Sequence, residues 1–290
     1  VAEEARPITV GVDGSAGSAL AIRWAIDEAR SRRAPLRLVH AYQMSSVIGW
    51  YPPSDYDVYG IRLAAEDVLA SSLAETRGRV DDLSVTGTTV PGMRVGVLLD
   101  ESERANLLVV GARGLGRLTA TALGSVSSAV AARAACPVVV IRGLPSRPDG
   151  PVVVGVDGTD LSEDVLQCAF DHASRYSLPL RAVMCWAPRA AGLLRRTREE
   201  RPPAEERTRA ALTMAEALAG WQEKYPDVRV ERHVIERQPV EGLLEESLHA
   251  RLLVVGAHGR HAIADTLLGS VSQGVLHHAT CPVAVVHGSR

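Results

Sequence analysis

The residues of this chain whose types and spacing could do chemistry are two aspartates and two glycine patterns, each present once per half. Asp13 closes the run Thr9-Val-Gly11-Val-Asp13, and Asp157 closes Val153-Val-Gly155-Val-Asp157. Further along, Gly111-Ala112-Arg113-Gly114 is followed by nine residues and then Gly124-Ser125. The second half repeats this as Gly256-Ala257-His258-Gly259, nine residues, and Gly269-Ser270. Small residues at fixed offsets between a buried strand and a helix start are what a backbone needs to wrap a phosphate.

The chemistry follows from the helix start. Backbone N–H groups there, with the hydroxyls of Ser125 and Ser127, make an anion site, favouring negative charge by roughly 0.3–1 kcal/mol. Any one of these glycines, taken alone, is better explained as a turn residue, and a serine as an N-cap. The whole pattern, twice, favours the anion site. Asp13 and Asp157 suit an acceptor for ribose or adenine, or an N-cap of the following helix, and the two roles are compatible. The basic groups in the glycine loops are Arg113 and Arg117 in the first half, and His258, Arg260 and His261 in the second.

Other chemistries lack their residues. The chain has no G-x-x-x-x-G-K-[ST] phosphate loop, no G-x-S-x-G elbow, and no G-x-G-x-x-G after its first strand. A phosphate-loop ATPase, a serine hydrolase and a dinucleotide oxidoreductase are thereby disfavoured. His258 and His261 suit surface or phosphate contact better than metal ligation, because no Cys or carboxylate clusters with them. His277-His278 reads as a packing or solvent feature. Trp50, Tyr51, Tyr56 and Tyr59 crowd one loop, where they either line the first pocket or shield the domain edge.

The elements that must position these residues alternate. The apolar spacing predicts strands over Ile8–Val12, Leu36–Tyr42, Leu83–Val90, Leu107–Val110 and Val138–Ile141. Helices are expected over Ser18–Arg33, Ile61–Arg77, Val95–Arg104 and Ser125–Ala134, and the second half repeats the series with a more charged helix, Arg207–Lys224. Near-continuous Val, Leu and Ile in the strands implies a parallel sheet covered on both faces. Ligands of such sheets lie outside the carboxyl ends of the strands, where the winding reverses. With strand order 3-2-1-4-5, the exits of strands one and four open into one crevice.

The repeat extends beyond the motifs. Leu36-Arg-Leu-Val-His-Ala-Tyr42 recurs as Leu180-Arg-Ala-Val-Met-Cys-Trp186, and Cys136-Pro137 as Cys281-Pro282. A period near 145 in 290 residues predicts two domains, 1–145 and 146–290. Gly143 to Gly150 has a linker's Pro, Gly and Ser content. The net charge of -2 is spread along the chain and leaves no footprint for nucleic acid. Arg195-Arg196-Thr-Arg198, followed at once by Glu199-Glu200, reads as a solvated loop. No apolar run reaches the roughly 18 residues of a membrane span, and no basic-then-apolar signal segment opens the chain. A start at Val1 fits a processed or trimmed terminus. Four cysteines without a C-x-x-C pair suit buried thiols in a reducing cytoplasm.

On these motifs, over almost its whole length, the chain resembles the universal stress protein family in its tandem-domain form. G-x-x-G-x9-G-[ST], complete twice, is similar to the signature of the family's ATP-binding branch. The resemblance implies two doubly wound α/β domains, each a five-stranded parallel sheet of order 3-2-1-4-5 flanked by helices. It also implies ATP as the ligand, with or without Mg2+. By similarity, Asp13 and the backbone at Ala41 would hold the adenosine end, and Gly111 and Gly114 would lie along ribose and phosphates. Gly124, Ser125, Val126 and Ser127 would bind the phosphates. The second-site counterparts are Asp157, Cys185, Gly256, Gly259, Gly269, Ser270, Val271 and Ser272. Gly11, Gly155, Arg113 and His258, inside the same motifs, complete the candidate nucleotide-binding set. The halves depart from each other at His40-Ala41-Tyr42 against Met184-Cys185-Trp186, which bears on the adenine contacts. Family members pair through their last strands, here Val138–Ile141 and Val283–Val286, implying an internal pseudo-dimer or a homodimer.

The function expected is a cytoplasmic ATP-binding regulator of the stress or dormancy response, with slow hydrolysis at most and no catalytic residue. A slow ATPase or nucleotidyl-transfer enzyme using the same pocket is the alternative. The missing lysine, base and metal carboxylates count against it, since phosphoryl transfer depends on electrostatic clamping. A pure interaction module with degenerate sites is disfavoured by the intact glycines.

Overall fold

The computed structural model describes residues 5–43, 55–114, 123–159, 162–186, 203–259 and 268–288. The chain divides into two compact units near Leu144 and Pro145.

In the first unit the elements run β1 (Ile8–Gly11), α1 (Ala16–Arg32), β2 (Leu36–Tyr42), α2 (Asp55–Arg77), β3 (Val85–Pro91), α3 (Arg94–Ser102), β4 (Leu107–Gly111), α4 (Ser125–Arg133) and β5 (Val138–Ile141). The sheet order is β3-β2-β1-β4-β5, all parallel. Its strands are apolar on both faces because helices flank the sheet: Ile8, Val10, Leu36, Leu38, Leu108, Val109 and Val138 have no exposed surface. Ser15 caps α1 by accepting the Ser18 N–H at 3.2 Å, so the N-cap is Ser15 and not Asp13. Arg33 ends the helix in the left-handed region, at φ 50°, with its N–H returned to the last turn.

The second unit repeats this through β6 (Val152–Gly155), α5 (Ser162–Arg175), β7 (Leu180–Trp186), α6 (Pro203–Ala217), α7 (Trp221–Lys224), β8 (Val230–Glu236), α8 (Pro239–Glu246), β9 (Leu252–Gly256), α9 (Ser270–His278) and β10 (Val283–Val286). Its order, β8-β7-β6-β9-β10, is again 3-2-1-4-5, as expected.

The single helix expected over Arg207–Lys224 is two, α6 and α7. Gly220 stands between them at φ 77°, a left-handed conformation that no helix interior accepts. Packing holds the short second piece. Trp221 and Tyr225 stack on Phe170 at centroid distances of 5.1 and 5.3 Å, and Phe170 is fully buried.

The end of the expected linker is tied down within the second unit. Arg251 donates to the Pro148 carbonyl at 3.0 Å, and a β-carbon at Gly150 would overlap the His249 carbonyl. The four cysteines are free thiols, with Cys136 and Cys281 buried and Cys168 and Cys185 half-buried. No helix among the described residues is long and apolar enough to cross a membrane.

Candidate functional site

Strand order creates the site. β1 pairs with β4, Gly11 opposite Val110, so the chain leaves both strands at adjacent points on one edge of the sheet. From β1 the winding runs outward to β2 and β3, and from β4 to β5. This is the reversal at which open parallel sheets hold ligands. Asp13 is the second residue beyond β1, and Ala112, Arg113 and Gly114 follow β4.

These two exits meet. A β-carbon at Gly114 would overlap Asp13 Oδ2. The second unit repeats the relation: a β-carbon at Gly259 would lie 3.1 Å from Asp157 Oδ2, tighter than ordinary contact. Each aspartate also turns its own loop. Asp13 Oδ1 accepts the Ser15 N–H at 3.0 Å, and Asp157 Oδ1 accepts the Thr159 N–H at 3.0 Å and its hydroxyl at 2.7 Å. Each carboxylate is thus fixed through Oδ1, with Oδ2 facing the glycine loop.

The glycine loops close back on themselves in the same way. Gly124 N–H donates to Ala112 O at 2.8 Å, and Gly269 N–H to Ala257 O at 2.8 Å. The N-caps of α4 and α9 are Gly124 and Gly269, with no side-chain cap. The helical ladder begins with Ser128 N–H to Gly124 O at 3.0 Å and Gln273 N–H to Gly269 O at 2.9 Å. The N–H groups of Ser125, Val126 and Ser127, and of Ser270, Val271 and Ser272, precede it and are the donors such a terminus leaves for an anion.

The serine hydroxyls do not share one role. Ser127 is buried and donates to Gly111 O at 2.7 Å; Ser272 does the same to Gly256 O at 2.5 Å. These two hydroxyls bind helix to strand, so the Ser127 hydroxyl, expected to serve an anion, donates its proton to a backbone carbonyl. Ser125 and Ser270 are exposed at the helix openings.

The remaining glycines divide similarly. Gly11 and Gly155 make room for Leu98 of α3 and Leu243 of α8, at 3.2 Å from an added β-carbon, and so serve packing. At Gly111 a β-carbon would sit 2.7 Å from the Gly17 backbone carbonyl carbon, so its missing side chain lets two backbones touch. Gly17, whose own β-carbon would overlap the Arg113 carbonyl, was not singled out by sequence. At Gly256 the nearest obstacle is the His258 carbonyl, 3.1 Å away.

Ala41 is buried near the end of β2, beside the β1 exit, where Val12 N–H donates to Val39 O at 2.9 Å. His40 Nδ1 hydrogen-bonds the Val12 carbonyl at 2.7 Å. The second unit has buried Met184 there and loses this tie. Cys185 is half-buried, and burial followed by Glu246 pushes its thiol up to about 11. The indole N–H of Trp186 is buried with no hydrogen-bond partner among the described residues.

Arg113 is exposed in its loop, and Arg142 follows β5. Burial, and then the charge of Arg113, draws Arg142 below the ordinary guanidinium range. Tyr59 is 61% exposed. Trp50, Tyr51 and the Tyr56 side chain lie outside the described residues, as do Arg117, Arg260, His261 and the Arg195-to-Glu200 cluster. Among the described residues no group of three or more His, Cys, Asp or Glu could hold a metal ion.

A doubly wound sheet with an aspartate at one strand exit and a glycine-bordered helix start at the next, built twice, defines a tandem α/β protein with two paired-exit crevices. The model of the universal stress protein family matches residues 4–142 and 150–287, and the chain belongs to that family. A universal stress protein of Mycobacterium tuberculosis is 38% identical over 295 residues, covering 97% of each chain. One of Mycolicibacterium smegmatis is 40% identical over 293 residues, covering 96% of each. The crystal structure of a universal stress protein from Archaeoglobus fulgidus covers 98% of this chain with a TM-score of 0.69 at 17% identity, a likeness of fold.

Proposed function

We propose that each half binds one adenine nucleotide, ATP in the first instance, across the paired strand exits, and that occupancy regulates partner contacts in the stress or dormancy response. The observation carrying this reading is the duplicated contact of Asp13 with Gly114 and of Asp157 with Gly259. It sets a fixed carboxylate beside a position with no side chain to obstruct a ligand. The carboxylate accepts from sugar or base hydroxyl and amine groups, while the first amides of α4 and α9 donate to phosphates. Asp13, Ala41, Arg113, Gly114, Gly124, Ser125 and Val126 would make the first site. Asp157, Cys185, His258, Gly259, Gly269, Ser270 and Val271 would make the second. Mg2+ would enter with the phosphates rather than on a protein cage, a mode usual for that ion. Such a protein works in the cytoplasm as a nucleotide-gated binder, not as a catalyst.

Two measurements test it. Mass spectrometry of small molecules released on denaturing the purified chain is expected to find an adenine nucleotide. Calorimetric titration of stripped protein with ATP is expected to saturate near two equivalents. Saturation near one would mean that Met184-Cys185-Trp186 spoils the second pocket, and an absence of binding would sink the assignment.

A further inference from the structure

A groove of about 450 Å³ opens on the second unit between α5 and the α6–α7 segment. Glu163 and Leu166 of α5 line one side, and Thr213, Glu216, Trp221 and Lys224 line the other. The helix break shapes it. Gly220, at φ 77°, separates α7 from α6, and α7 with the residue after it is fastened to α5. Trp221 stacks on Phe170, the Tyr225 hydroxyl donates to Asp171 Oδ1 at 2.5 Å, and Lys224 donates to Gln167 Oε1. In the first unit α2 is unbroken from Asp55 to Arg77, and a β-carbon at Gly14 would lie 3.4 Å from Val68 Cγ1. There the helix meets the Asp13 turn directly.

The charges around this groove are unbalanced. Glu216 is the next-to-last residue of α6, where free carbonyls already carry partial negative charge, and no basic residue stands in that last turn. Neither Glu216 nor Glu163 has an ion pair or a side-chain hydrogen bond among the described residues. On α2, by contrast, Glu66 and Glu75 are paired with Arg62 and Arg79 one turn away. By the repeat, Glu163 stands where the first unit has Ala19, and Glu216 where it has Ser71 or Ser72. Lys224 is the only lysine of the chain, and its ammonium is committed elsewhere. Besides bonding Gln167, it lies 5.0 Å from the Trp221 ring centroid and 5.7 Å from that of Tyr225. One cation thus already rests against this wall, and two carboxylates remain for another.

We propose that this groove binds a small organic amine, with its protonated amino group held by Glu163 and Glu216 and its carbon body along Leu166 and Trp221. Both apolar side chains are buried and give the body a floor away from water. Thr159 and Thr213 also line the groove. Each spends its own proton, on Asp157 Oδ1 and on the Arg209 carbonyl, and so offers lone pairs to an ammonium. The volume lies in the range of roughly 300–1,000 Å³ usual for small-molecule sites. A bare metal ion suits it poorly, since no group of three or more His, Cys, Asp or Glu that could hold one occurs among the described residues. The groove adjoins the Asp157 turn through Gly158 and Thr159. None of its charged residues belongs to the nucleotide crevices, and the proposal does not depend on what those crevices bind.

The test titrates the full chain by calorimetry with three amines: phenethylamine, agmatine and spermidine. At least one is expected to bind at one equivalent with a Kd of about 1 mM or tighter. For phenethylamine, 2-phenylethanol and 3-phenylpropionate keep the body and change the head. The neutral alcohol is expected to bind at least about tenfold more weakly and the anion not at all, because only the ammonium answers the two carboxylates. Glu163→Gln with Glu216→Gln keeps both shapes at exposed positions. This double change is expected to weaken the amine by more than about tenfold while the melting temperature and the ATP titration stay as in the unsubstituted chain. Amine binding is also expected to persist in saturating ATP. Failure of all three amines to bind overturns the proposal, as does amine affinity that survives the double Gln change. Displacement of the amine by ATP would place it in a nucleotide crevice and overturn the proposal too. The ATP titration is read separately, so a chain that binds amine but no ATP would sink the nucleotide reading alone.

Discussion

Asp13 Oδ2 occupies the space that a β-carbon at Gly114 would need, and Asp157 Oδ2 stands 3.1 Å from the corresponding point at Gly259. The glycine of each loop is therefore matched to the aspartate of the neighbouring strand. The first match is the tighter, and the difference grades the expected effect of substitution.

Gly114→Ala is expected to displace the Asp13 carboxylate and weaken the first site by more than tenfold, about 1.4 kcal/mol. Gly259→Ala, with a few tenths of an ångström to find, is expected to weaken the second by less. Gly114→Glu and Gly259→Glu add a charge in phosphate space, and each is expected to abolish one site. Calorimetry with ATP, alongside a melting curve, checks this. Unchanged affinity in the two Glu variants would make the glycines structural only.

Ser127 and Ser272 carry a contrasting expectation. Their buried hydroxyls donate to Gly111 O and Gly256 O, so alanine at either leaves a strand-end carbonyl without that donor. Each substitution is expected to cost about 1–3 kcal/mol of stability and to change ATP affinity only slightly. A fall in affinity with an unmoved melting temperature would return the hydroxyls to the phosphates.

Thiol reactivity is set by burial. Burial pushes the Cys136 thiol up to about 12 and the Cys281 thiol up to about 11, so almost none of either is thiolate at neutral pH. Alkylation near pH 8 of the folded chain is expected to be at least on the order of 100-fold slower at these two residues than in urea, where thiols titrate near 8.5. Peptide mapping reads the sites. Rapid native labelling of Cys136 or Cys281 would show that their strand ends open readily.

Much of this architecture was legible because buried parallel strands leave a plain trace. Leu107–Val110 and Leu252–Val255 are apolar on every residue, since both faces of their strands are covered. The duplicated glycines gave the crevice once strand order was granted. Three things were not legible. Gly17 lies just ahead of the helix expected from Ser18, and only the fold brings its backbone against Gly111. The break between α6 and α7 depends on Gly220 taking a positive φ, which the helical spacing around it hides. The approach of the Arg142 and Arg113 backbones depends on β5 pairing with β4, which sets the Ala112 N–H against the Ile141 carbonyl.

The last prediction concerns catalysis. No phosphate-loop lysine is present, and among the described residues no metal-binding cluster stands by either crevice. Asp13 is held through Oδ1 by the Ser15 N–H, a posture suited to accepting from a ligand rather than to shuttling a proton. ATP turnover is expected to fall far below the roughly 1–10³ s⁻¹ of ordinary enzymes. Asp13→Ala is expected to weaken binding at the first site and to leave the rate per bound nucleotide unchanged. Asp13→Asn, which keeps the acceptor and the turn but not the charge, is expected to lose less. Single-turnover hydrolysis with protein in excess, compared at saturating occupancy, separates the roles. Fast turnover in the unsubstituted chain that collapses in Asp13→Ala while affinity holds would make Asp13 a chemical group and the protein an ATPase. Slow turnover with weakened affinity is what a carboxylate serving only to hold adenosine would produce.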